Sequence, residues 1–185
     1  MKTLVTCEVG SPIGRIALFA DEGALLGLEF ADARTRVGEL RRRLERALGD
    51  LQLVDVPDPA GAATRLRRFF AGEVGALEGQ EVKLFGTAFE MKVWTQLCAI
   101  PPGEVRSYRE VARAIGMPKA TRAVGAANGR NPVALFVPCH RVIASDGSLH
   151  GYGGGLHRKR WLLDHERRHT GARPAGDQLD LALRS

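Results

Sequence analysis

The stretch SYREVARAIGMPKATRAVGAANGRNP, Ser107–Pro132, decides how the chain is read. Ser107 and Glu110 stand at the S-x-x-E spacing of a capping box, in which each side chain satisfies a backbone N–H that the first helical turn leaves free. Gly116 can take the left-handed conformation that ends a helix, and Pro118 is suited to opening the next, where its missing N–H would have had no partner. The pattern predicts two short helices joined by a tight turn, a helix-turn-helix. Past Lys119, Thr121 and Arg122 the second helix offers Ala123, Val124, Gly125, Ala126 and Ala127, none of which can make bidentate contacts to base edges. Such small side chains let a helix backbone lie close to DNA in a narrow groove, with Arg122 long enough to reach in, and they equally suit a helix packed in a core.

Charge along the chain favours a polyanionic partner for this region. The 185 residues carry a net charge of +6, but residues 1–85 hold 12 Lys/Arg against 13 Asp/Glu, while residues 86–169 hold 13 against 6. A surplus confined to one segment points to nucleic acid. At 44% hydrophobic and 26% charged residues the chain can bury a core, and no run approaches the roughly 20 apolar residues of a membrane span. The N-terminus MKTLVTCEVG lacks the apolar centre of a signal peptide, so a cytoplasmic address without membrane attachment is expected. Cys7, Cys98 and Cys139 are odd in number and far apart, which suits free thiols better than a disulfide framework or a zinc site.

Before the helix-turn-helix the chain reads as an α+β unit. TLVTCEV, IGRIALFA and ALLGLEF are strand-like runs separated by the turn signals GSP and DEG, predicting an antiparallel meander. In TRVGELRRRLERAL, Val37, Leu40, Leu44 and Ala47 keep helical spacing and most arginines fall on the opposite, solvated face. ATRLRRFFAG predicts a second helix on Leu66, Phe69 and Phe70, and Gly72–Gly86 reads as a linker containing a short strand, EVKLF. FEMKVWTQLCAI then predicts a helix with Phe89, Val93, Leu97 and Ile100 on one stripe and Cys98 in the core beside it. The expected organisation is an N-terminal α/β domain with linker over 1–85, a mostly helical domain over 86–169, and a disordered tail over 170–185.

LFVPCHRVIASDG, Leu135–Gly147, places Cys139 and His140 side by side behind a proline. A thiol is a strong nucleophile only as the thiolate, and an imidazole is the usual base or counter-charge. Neighbouring side chains of an extended chain point apart, so either the backbone turns sharply after Pro138 or a water carries the proton between them. A carboxylate should orient the imidazole from its other nitrogen, with Asp146, Asp164 and Glu166 as candidates. A structural Cys-His pair is the alternative. The P-C-x-x-C of zinc deaminases and the C-G-S-C-W of papain-like proteases are both absent.

PCHRV, preceded by SYREVARAIGMPKATRAVGAANGRNP and followed by GYGGGLHRKRWLLDHE, resembles the O6-alkylguanine-DNA alkyltransferases, also called methylated-DNA–protein-cysteine methyltransferases, continuously over about Phe89–Glu166. The N-terminal half is similar to the family's variable ribonuclease-H-like domain in general layout. The resemblance implies a single-turnover repair protein that moves an alkyl group from O6-alkylguanine in double-stranded DNA irreversibly to Cys139, with O4-alkylthymine as a second possible substrate. It implies His140 as the base acting through a water, Glu166 as its orienting carboxylate, and Asn131 as a tether for the loop that holds the thiol. Tyr108 would donate a hydrogen bond to the flipped base and press on the adjoining phosphate. Arg122 would fill the gap in the base stack, with Lys119, Ala123 and Ala127 against DNA in the minor groove. Carbonyls of Cys139 and Val142 would receive the guanine amino group, Tyr152 and Gly153 would wall the pocket, and the glycines after Tyr152 would let backbone approach a planar base.

Some relatives hold a structural zinc in the N-terminal domain, whereas this chain has only Cys7 and no histidine before His140, so neither metal nor cofactor is expected. Cys139 separates the chain from alkyltransferase-like proteins that bind such lesions without repairing them. The opposing reading, a helix-turn-helix regulator with a structural or redox-sensing Cys139, calls for base-reading side chains and a dimerisation element; neither is apparent, and a monomer is expected.

Overall fold

The computed structural model describes residues 1–171, which divide into two compact units, the first ending at Phe85 and the second starting at Gly86. The tail expected over 170–185 lies outside the described residues from position 172 onward, while Thr170 is the last residue of a helix.

The first unit is built on a four-stranded sheet of β1 (Lys2–Val9), β2 (Ile16–Ala20), β3 (Leu25–Phe30) and β4 (Leu51–Asp55), in the order β3-β2-β1-β4. The predicted meander is present: β1 and β2, and β2 and β3, pair antiparallel. β4 was not foreseen, since LQLVD is short and half exposed; it pairs parallel to β1 after the crossover through α1 (Arg34–Leu48). Leu40 and Leu44 of α1 join Leu4, Ala17, Phe19 and Leu26 in one apolar cluster, flanked by Val37 and Leu48. Ala47, expected on that stripe, is exposed, and Leu48 takes the inward position at the helix's end. α2 (Ala62–Phe70) buries Ala62, Ala63, Leu66 and Phe69. The expected linker is instead part of this unit: Val74–Leu77 form a 3-10 turn with Val74, Ala76 and Leu77 buried, and Phe85 packs on the apolar cluster. EVKLF forms a single bridge, Val82 with Leu25, rather than a strand, because only Glu81 and Lys83 exchange backbone hydrogen bonds with Leu25.

The second unit begins with α3 (Ala88–Cys98), opened by a Thr87–Glu90 capping box that sequence reading passed over. Trp94 is fully buried, and a Cβ at Gly86 would stand 2.5 Å from its ring, so only glycine allows this approach. Cys98 is exposed rather than in the core: α3 stops there, and the stripe closes on Leu97 and Ile100. A two-residue strand, β5 (Arg106–Ser107), leads into α4 (Tyr108–Ala114), where the Ser107–Glu110 capping box forms as the spacing predicts. Gly116, at φ +76°, ends α4 in a Schellman motif, with Gly116 N–H donating to Arg113 at 2.9 Å and Met117 N–H to Ala112 at 2.8 Å. α5 (Thr121–Gly129) starts later than predicted: Pro118 and Lys119 lie in the connecting turn and Ala120 is the N-cap. After a loop over 131–138 the chain makes a 3-10 turn at Cys139–Arg141, pairs β6 (Val142–Ile143) parallel to β5, and ends the described region in α6 (Leu156–Thr170).

Candidate functional site

Cys139 and His140 lie in a 3-10 turn, Cys139–Arg141, directly after Pro138. The chain turns sharply there: Arg141 N–H donates to Pro138 O at 3.0 Å and Cys139 N–H to Val137 O at 2.8 Å. The preceding loop needs an unusual backbone, with buried Leu135 at φ +70°. A side chain in that region is strained and must be held by its surroundings. Asn131, 4% exposed, does the holding: its Nδ2 donates to Val137 O at 2.7 Å and its Oδ1 accepts from Val133 N–H at 3.0 Å.

His140 is fully buried, and its Nε2 lies 2.8 Å from Glu166 Oε1. Asp146 instead accepts from Ser148, and Asp164 pairs with Arg167 and Arg168, so of the three candidate carboxylates Glu166 is the one in contact with the imidazole. Arg141, which sequence reading did not single out, surrounds the same carboxylate: Nε and Nη2 donate to Glu166 at 2.8–3.1 Å, and Nη1 donates to Ile100 O at 2.6 Å. Gly103 N–H adds a further donor at 3.0 Å. Burial alone would raise the Glu166 pKa, but His140 and Arg141 outweigh it and hold the carboxyl down, at about 2. For His140 burial wins over the attraction of Glu166, so its pKa lies below the ordinary 6.5, with Arg141 and Lys159 pushing the same way. The imidazole is therefore neutral at pH 7, with Nε2–H donating to Glu166. Its Nδ1, an acceptor in that tautomer, has no hydrogen-bond partner among the described residues.

Lys159 was also missed, although it falls on the buried stripe of α6 with Leu162, Leu163 and Glu166 at helical spacing. Fully buried, its Nζ donates to Val142 O at 2.5 Å and His150 O at 2.9 Å, and burial lowers its pKa to about 8 against the pull of Cys139. Tyr108 donates its hydroxyl to the same His150 carbonyl at 3.0 Å. Burial, then Cys139, raise its pKa to about 12, so it keeps its proton at neutral pH. The hydroxyl expected to reach a base is thus already engaged, and must exchange this partner to do so.

The remaining expected site residues divide between buried and exposed positions. Val142 and Tyr152 are buried and Gly153 is exposed, in the segment that Gly155, at φ +94°, turns into α6. On α5, Arg122 and Ala123 are exposed, as is Lys119 in the preceding turn. Ala127 does not join them: it is fully buried and its carbonyl accepts from Trp94 Nε1 at 2.9 Å, so Ala126 occupies the outward position instead. No helix of the described residues is long and apolar enough to cross a membrane.

Comparison with known proteins gives a consistent result. The model of the 6-O-methylguanine DNA methyltransferase, DNA binding domain, matches residues 88–168. A methylated-DNA–protein-cysteine methyltransferase of Salmonella typhimurium is 40% identical over 167 residues, covering 90% of this chain and 97% of that protein. Its counterpart in Mycobacterium tuberculosis is 44% identical over 162 residues, covering 86% and 90%. The crystal structure of Mycobacterium tuberculosis OGT in complex with DNA is similar at a TM-score of 0.74 and 40% identity, covering 97% of this chain and 99% of that one.

Proposed function

This chain belongs to the methylated-DNA–protein-cysteine methyltransferases, and on that premise we propose that Cys139 is the residue that takes the alkyl group. The protein is an O6-methylguanine DNA methyltransferase, a DNA repair protein of α+β fold. The observation that carries the assignment is the buried His140–Glu166–Arg141 cluster beside the one cysteine set in a tight, tethered turn.

A neutral His140 with Nδ1 free to accept takes the Cys139 thiol proton, through a water, while Glu166 holds the ring and offsets the imidazolium that forms. Charge on Cys139 is felt by Lys159, whose buried ammonium favours the thiolate. Sulfur then attacks the alkyl carbon in line; the C–S bond forms as the C–O bond breaks, and the electron pair goes to O6 of guanine. Tyr108, protonated at neutral pH, supplies a hydrogen bond to the departing base once it leaves His150. The product is a thioether, which no group in the cluster can reopen, so each protein acts once.

To reach Cys139 in a duplex the base must leave the stack, at a cost of about a few kcal/mol. The exposed row of Arg122, Ala123 and Ala126 supports docking of α5 in the minor groove, with Arg122 filling the vacancy. Duplex DNA radiolabelled on an O6-methyl group tests the assignment. Label should appear on the Cys139 peptide and stop at one equivalent; sustained turnover, or label on another residue, would refute it.

Arg122→Ala separates flipping from chemistry. It leaves Cys139, His140 and Glu166 untouched, so a free alkylated base should react at near the parent rate. Transfer from duplex should slow about tenfold for each 1.4 kcal/mol lost from the extrahelical state. Equal slowing of both substrates would show that Arg122 supports the pocket itself.

A further inference from the structure

Asn128 lies on the inward face of α5, beside Val124 and Ala127 and opposite the exposed Arg122, Ala123 and Ala126. It is 2% exposed, yet it is a carboxamide among small apolar residues. Its Nδ2 donates to the carbonyl of Cys139 at 3.3 Å, and its Oδ1 is buried with no partner among the described residues. An apolar side chain of the same shape would avoid leaving that oxygen unsatisfied, so the packing of α5 alone does not account for an amide here.

The hydrogen bonds around the nucleophile show what the amide contributes. Val137 O is held by Asn131, Pro138 O by the Arg141 N–H, and Cys139 O by the Val142 N–H together with Asn128. All of these except the Asn128 bond come from the loop and turn between Gly129 and Val142. The Asn128 bond ties the backbone of Cys139 to a residue within α5, whose other face carries the exposed Arg122.

We propose that Asn128 is a positioning residue for alkyl transfer: its carboxamide fixes the Cys139 carbonyl, and so the direction of the sulfur, to the helix that docks on DNA. The inference rests on Cys139 being the acceptor. In-line attack tolerates little displacement, since misplacing a reacting group by about an ångström costs up to roughly a hundredfold in rate.

Asn128→Leu is close to isosteric and removes the donor and the unsatisfied oxygen together. Its melting temperature should match or exceed that of the parent, and its half-saturating concentration for alkylated duplex should not change. Its limiting single-turnover rate should fall about tenfold or more, with free alkylated base as well as duplex. Asn128→Asp keeps the shape but turns an acceptor toward the Cys139 carbonyl, and should be slowed at least as much. A limiting rate for Asn128→Leu within about twofold of the parent would overturn the inference. So would slowing seen only in the half-saturating concentration, or slowing that accompanies a lowered melting temperature in both variants. Label carried by a residue other than Cys139 in the parent would instead overturn the acceptor assignment.

Discussion

Cys139→Ser is expected to reduce transfer to the uncatalysed background while leaving affinity for alkylated duplex intact. The thiol ionises near pH 8.5 when unperturbed, and thiolate sulfur is intrinsically a strong nucleophile; an alcohol has neither property. The substitution is small, and the tethers of the turn run through backbone groups of residues 137–139, which serine retains. The exposed row on α5 proposed to face DNA is also unchanged. Gel-shift titration and labelled-methyl transfer, measured on the same preparation, give the two readouts. Residual transfer at a tenth of the parent rate, for example, would mean that another group accepts the alkyl.

Glu166→Gln should be the most destabilising single change in the cluster. It leaves the Arg141 guanidinium, 5% exposed, without its counter-charge, and breaking one partner of a buried pair costs about 3–5 kcal/mol. Adding Arg141→Met removes the stranded charge and should recover much of that stability. Transfer should stay depressed, because a neutral amide cannot offset the imidazolium that forms on His140. Denaturant midpoints beside single-turnover rates would test this; recovery of both together would make the cluster purely structural.

The same cluster sets the acid behaviour of the parent protein. His140 and Glu166 both have folded pKa values below their ordinary ones, so each contributes stability that is present above its unfolded pKa and lost as pH falls. Stability should decline below about pH 6.5 as His140 resists protonation, and again from about 4.3 downward toward the Glu166 value near 2. Glu166→Gln should flatten the lower part of that profile.

The helix-turn-helix and the Cys139–His140 pair were legible in the sequence because both are written in local chemistry. The Ser107–Glu110 box acts across three residues, Gly116 stops α4 through its own backbone, and Cys139 and His140 stand together directly behind Pro138. Distant pairings left weaker marks. β4 is a short, half-exposed strand supported by its parallel pairing with β1 and by Leu51 and Leu53 against the apolar cluster. The segment from Gly72 to Gly86 reads as a linker until Val82 and Phe85 find the sheet and its cluster. On α5, a run of small residues gives no hydrophobic contrast to set the helix's phase. Ala126 and Ala127 are the same residue type, and in the folded chain Ala127 joins Val124 and Asn128 on the buried face, its carbonyl accepting from the Trp94 N–H. Arg141, Lys159 and Asn128 have hydrophilic side chains whose place in the interior follows from partners on other elements: Glu166 and Ile100 for the first, Val142 and His150 for the second, the Cys139 carbonyl for the third. A charged or amide group enters the interior only where such partners replace its hydration, and those partners exist only once the chain has folded.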